Sequence, residues 1–136
     1  MNIRVQAITI AAGVFGLINL AHATDMTGAE IKTFLTNKTA YLETTAASAS
    51  GQVGHVVIYW AADGTALYKT PSGTMMHGKW QVKGNTNCTD WKERPGTGCV
   101  RYDKAADGVT VIDTASGKVR AKIVKTAPGN VEKLTP

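Results

Sequence analysis

From Tyr41 onward the chain repeats one rhythm, in which apolar or β-branched segments alternate with turns rich in Gly, Asp, Asn or Pro. The segments are Tyr41–Thr45, Val53–Trp60, Thr65–Thr70, Thr74–Val82, Asn87–Trp91, Val100–Lys104, Val109–Asp113 and Lys118–Val124. Between them lie Ala62-Asp63-Gly64, Pro71-Ser72-Gly73, Gly84-Asn85, Pro95-Gly96-Thr97-Gly98, Asp107-Gly108 and Ser116-Gly117. Short strands handing over to tight turns write this pattern. Parallel neighbours would need crossovers of a dozen or more residues, usually helical, and none interrupts the series. The rhythm predicts a mainly β domain, an antiparallel up-and-down meander of about seven or eight strands that forms a small closed or partly open, lipocalin-like barrel.

Side chains alternate along a strand, so the faces can be assigned. Trp80 and Val82 point one way and Lys79, Gln81 and Lys83 the other; Val119, Ala121 and Ile123 oppose Lys118, Arg120 and Lys122. Val56–Trp60 is apolar on both faces, as expected of a strand covered by the core on one side and by a helix on the other.

One short helix is expected before the meander, over about 27–36. Thr27 and Glu30 have the spacing of a reciprocal capping box, and Met26 and Ile31 that of a hydrophobic staple. Ile31, Phe34 and Leu35 form one apolar stripe, and Asn37 is a stop signal. A helix this short is unstable alone in water, so its stripe must pack on an end or edge of the sheet.

The first residues carry Arg4, then an apolar run Val5–Leu20 broken only by Gln6, Thr9 and Asn19, then Ala21-His22-Ala23. A charged start, an apolar run too short to span a bilayer comfortably and a small-x-small site predict a secretory signal peptide over 1–23. The remainder, 24–136, is one β-rich domain with strands over about 41–124 and a C-terminal tail over 125–136. The processed protein is then periplasmic or secreted and does not span the membrane. Fifteen Lys and Arg against ten Asp and Glu make a mild basic excess, without the dense clusters that nucleic-acid backbones require.

Cys88 and Cys99 flank a Pro/Gly-rich segment. In an exported chain they are expected to form a structural disulfide rather than a redox or metal pair, for ten intervening residues do not make a Cys-x-x-Cys arrangement. Met75 and His77, two apart on one strand and therefore on one face, suggest a periplasmic copper site if His55 joins them; Met76 points the other way. Trp60, Trp80, Trp91 and Tyr102 are the candidates to line a pocket for a small apolar ligand, or else to fill the core. Lys118, Arg120 and Lys122 offer a basic stripe to an anionic surface, or else protect an exposed strand from edge pairing. No catalytic motif is present and no cofactor is nominated; Asp63, Asp103, Asp107 and Asp113 sit in or beside turns, where short carboxylates accept from the backbone.

The order of signal peptide, helix opening Met26-Thr27-Gly28-Ala29-Glu30-Ile31, turn Asp63-Gly64, Gly78-Lys79-Trp80, Cys88 and Cys99 resembles a family of small exported proteobacterial proteins, domain-of-unknown-function family 995. The resemblance covers nearly all of 25–132 and implies a bacterial periplasmic or secreted β-rich domain, with no activity attached. The expected function is that of a non-enzymatic binding or accessory module of the cell envelope, acting on a small apolar ligand or an envelope protein; periplasmic copper handling is the alternative.

Overall fold

The computed structural model describes residues 24–136, so the expected signal peptide lies outside the described residues. A two-residue strand β1 (Thr24–Asp25) and one helix α1 (Gly28–Leu35) precede the meander. The meander is β2 (Lys38–Thr44), β3 (Gly54–Trp60), β4 (Thr65–Lys69), β5 (Met75–Lys83), β6 (Thr86–Trp91), β7 (Cys99–Ala105), β8 (Gly108–Asp113) and β9 (Val119–Pro128). Each of these eight pairs antiparallel with its neighbours in sequence, and β9 pairs with β2. The result is a closed eight-stranded up-and-down barrel with β1 outside the ring.

The ring is unevenly sewn. β2 and β3 pair along seven positions, from Lys38↔Trp60 to Thr44↔Gly54, whereas β6 and β7 pair at two, Asn87↔Val100 and Cys88↔Cys99. The disulfide Cys88–Cys99 crosses this narrow seam. Beyond it, β1 takes over the free edge of β7 through Thr24↔Lys104 and Asp25↔Asp103, and Met26 N–H donates to Tyr102 O at 2.8 Å. Arg101 Nη1 donates to Asp25 Oδ1 and Asp103 Oδ1 at 2.7 and 2.9 Å, fastening the patch. Covering a β edge in this way removes a row of unpaired backbone groups.

Alternate side chains of the strands fill the interior, among them Leu42, Val56, Ile58, Tyr68, Tyr102 and Ile123. The capping box forms as expected: Glu30 N–H donates to Thr27 Oγ1 at 3.2 Å and Thr27 N–H to Glu30 Oε2 at 3.0 Å. Asn37 follows the helix with φ 55°, a left-handed stop. Ile31 and Leu35 are completely buried. α1 does not cover the outer face of β3; it packs on β2, β5 and β6 and closes one end of the barrel. The outward residues Val57 and Tyr59 of β3 are half-buried without it.

Two one-residue bulges in β9 alter the expected faces and length. Leu42 pairs with Ile123 and Tyr41 with Lys125, so Val124 is the extra residue and β9 runs on to Pro128 instead of ending in a tail at 125. Val111 pairs with Ala121 and Ile112 with Val119, so Arg120 is also extra. A bulge resets alternation. Val119 is therefore 45% exposed while Arg120 is 9% exposed, the reverse of their expected placement.

Candidate functional site

The barrel end opposite α1 is closed by polar chemistry. The β2–β3 loop folds inward, burying Ser48, Ala49 and Ser50, with Ser50 Oγ 3.4 Å from Tyr68 Oη. The β6–β7 loop lies beside it: Arg94 Nη1 donates to Ser50 O at 3.0 Å and Thr97 Oγ1 to Thr89 O at 3.3 Å. The carboxylate of Glu93 in this loop accepts from both His77 N–H, at 2.8 Å, and the His77 ring, at 2.7 Å. Arg120 turns in under the loop, donating to Thr97 O and, through Nε at 3.0 Å, to Asp113 Oδ2. It belongs to this closure and leaves only Lys118 and Lys122 of the expected basic stripe outside; Lys122 Nζ is itself paired with Asp107 Oδ2 at 2.6 Å.

Asp113 also accepts from the backbone N–H groups of Ala115 and Ser116 at 2.8 and 2.9 Å. The Ser116 N–H, followed by the Arg120 guanidinium, holds its carboxyl down to about 2. Asp63 makes the same kind of turn contact with Thr65 N–H, at 2.8 Å. Because the folded-state value of Asp113 lies below the ordinary value of about 3.9, its contribution to stability is complete above about pH 4 and is lost as the pH falls toward 2. The urea midpoint of the native protein is therefore expected to drop over that window and that of Asp113→Asn to drop less; parallel profiles would refute the assignment.

All four aromatic candidates are buried in the core. Trp60 meets Trp80 edge-on at 5.7 Å between centroids and lies 6.3 Å from Trp91, which meets Tyr68 edge-on at 5.3 Å. Trp80 Nε1 donates to Ala61 O at 2.9 Å. Trp91 lies against Gly78, where an added Cβ would fall 2.7 Å from the indole Cε3; glycine is what lets the ring approach β5. Tyr102 Oη accepts from Asn87 Nδ2 at 3.0 Å, and complete burial pushes its phenol well above the ordinary range. Trp60 and Trp91, with Tyr68, Asn87 and Arg120, line a chamber of about 50 Å³ on the barrel axis. A cavity that accepts benzene is about 150 Å³. The chamber is too small for an aromatic ligand.

Met75 and His77 lie on the outer face of β5, and Met76 is buried in the core, as alternation requires. His55 is also outside but on β3, with β4 between. Tyr59 is level with His77 through Leu67, so two strand spacings and four residues separate His55 from His77, on the order of 16 Å. The three residues do not converge, and His77 is engaged by Glu93.

The largest concave surface among those described lies at the helix end and was not signalled by any motif. Met26, Ala29, Thr33 and Phe34 form the mainly apolar floor of a groove of about 520 Å³ between α1 and β7, with Lys38 and Lys104 at its margins. Lys38 Nζ donates to Thr33 O at 3.2 Å. Glu30 also borders the groove, but one of its oxygens is committed to the capping box. On the other side of Phe34 a second hollow of about 210 Å³ is lined by Val109, Ile123, Val124 and Lys125. The amphipathic spacing of α1 foretold its buried stripe; the groove forms only where the start of β2 and the end of β7 bring Lys38 and Lys104 beside that helix. Comparison with known proteins finds no matching family model, curated protein or solved structure.

Proposed function

We propose that the protein is an exported, non-enzymatic binding module of the bacterial cell envelope, and that its ligand is a single-chain anionic amphiphile seated in the groove beside α1. The observation that carries this reading is the combination of an apolar floor, Met26, Ala29 and Phe34, with two ammonium groups, Lys38 and Lys104, at one concave surface. Ligand sites are commonly mostly apolar hollows of about this size with a few placed polar groups. An alkyl chain lying against Phe34 sheds water, while its carboxylate pairs with a lysine. The bulge at Val124 leaves that side chain 47% exposed in the adjoining hollow, extending the apolar track past Phe34.

Export is supported by the sequence of 1–23 and by the Cys88–Cys99 disulfide, which suits an oxidising compartment. Among the described residues no helix is long and apolar enough to cross a membrane. Fractionation with mass analysis of the mature N terminus tests this half of the reading, with Thr24 as the expected first residue.

For the ligand, dodecanoate is titrated into the protein by calorimetry. Phe34→Ala and Lys104→Glu are each expected to weaken binding at least about tenfold, which corresponds to about 1.4 kcal/mol. Lys69→Glu, on an exposed position of β4 outside the groove, is expected to leave it unchanged. No heat of binding, or equal weakening by all three variants, would overturn the assignment.

A further inference from the structure

The axial chamber contains a chemical mismatch that the groove does not share. Trp60 is 4% exposed and Asn87 1% exposed, and both line the chamber. Trp60 Nε1–H and Asn87 Oδ1 are buried without a hydrogen-bond partner among the described residues. One is an obligate donor and the other an acceptor. Buried polar atoms are almost always satisfied, and a chamber flanked by several of them does not behave as a dry cavity.

We infer that this chamber is a specific internal hydration site, holding two or three water molecules that join Trp60 Nε1–H to the Asn87 side-chain amide. The volume sets the occupant: about 50 Å³ accommodates a few waters at about 10–15 Å³ each, and nothing the size of an aromatic ring. The chemistry selects water over an apolar atom or a simple ion, since the occupant must accept from an indole N–H and donate to an amide oxygen. Turning the Asn87 amide over would present NH2 instead of oxygen to the chamber, and water can meet either group. Tyr68 and Thr89, also buried in the lining, bring further hydroxyl groups within the reach of a small cluster.

The position also sets the exchange path. The α1 end is filled by Ile31 and Leu35, whereas the chamber reaches Ala49, Gly98 and Arg120 beneath the β6–β7 loop. Arg94 ties that loop to Ser50 O, beside the end that the chamber faces. Waters held between these buried polar atoms are expected to be long-lived on the timescale of surface hydration. This inference is independent of the proposed amphiphile groove at the other end of the barrel.

Water–protein cross-relaxation spectroscopy on the 15N-labelled protein tests it, with the Trp60 indole resonance identified by its disappearance in Trp60→Phe. The expected result is a cross-peak between water and Trp60 Nε1–H with the sign of a long-residence contact, absent from Trp80 Nε1–H, which is bonded to Ala61 O. Ala49→Val adds two carbons to the lining and is expected to reduce the Trp60 cross-peak several-fold. Oxygen-17 relaxation dispersion of the unaltered protein provides a count that does not depend on a variant folding; at least one long-lived water is expected. A sharp Trp60 indole resonance with no water contact would overturn the inference. So would a dispersion amplitude of zero, or native mass spectrometry that finds an organic molecule retained in the barrel.

Discussion

Replacing Cys88 and Cys99 together by alanine is expected to lower the unfolding free energy by about 3 kcal/mol, the chain-entropy value for releasing a loop of this length. The expected consequence extends beyond that number because of where the bond lies. β6 and β7 share only two register positions, one of them the disulfide pair itself. Without the covalent link, the seam is held only by its two backbone register positions and the flanking patch of β1 on β7. Amide exchange at Val100 should therefore accelerate more than at Val56, which lies within the seven-position ladder of β2 and β3. Urea unfolding of the oxidised protein and of the double variant, with hydrogen exchange at these two sites, gives the comparison. An unchanged midpoint, or uniform acceleration around the ring, would show that the bond carries no special burden at the seam.

Gly28→Ala is expected to cost roughly 2–3 kcal/mol, of the order of overpacking in a close-packed core. The sign is the informative part. At an ordinary helix position the same change stabilises by up to about 1 kcal/mol, because alanine loses less backbone entropy on folding. Here an added Cβ would fall 2.1 Å from Gly84 O and 3.2 Å from Val82 Cγ1, so either the helix or the β5–β6 turn must move. The turn is tied to the helix start by Gly28 N–H, which donates to Asn85 Oδ1 at 2.9 Å. Displacing α1 also lifts Ile31 and Leu35 from the barrel end they fill. A urea midpoint equal to or above that of the native protein would contradict this close seat.

Much of the architecture is written locally. The alternation of side chains and the regular turns place β3 to β8 within a residue or two, since each needs only its own period and its own punctuation. The Thr27/Glu30 box marks the helix start because both partners lie within one turn. The disulfide pairing was legible for a different reason: with two cysteines in the chain, one intramolecular pairing exists. The burial of Trp60, Trp80, Trp91 and Tyr102 agrees with a filled core, one of the two roles open to them in the sequence.

What the local pattern could not decide is where the ends of the sheet meet and which strand carries an extra residue. Thr24-Asp25 has no strand signal of its own; it is extended because β6 leaves part of β7 uncovered. Arg120 reads as an outward lysine-like position, yet the β8–β9 register inserts it as a bulge and points it beneath the β6–β7 loop toward Asp113. A bulge is a property of two strands counted against each other, invisible to either alone. The groove beside α1 and the chamber on the axis arise in the same way, from surfaces remote in sequence. Period-two alternation prescribes pleated strands, but the closure that sews them together determines which buried polar atoms face one another and which apolar side chains remain at the rim.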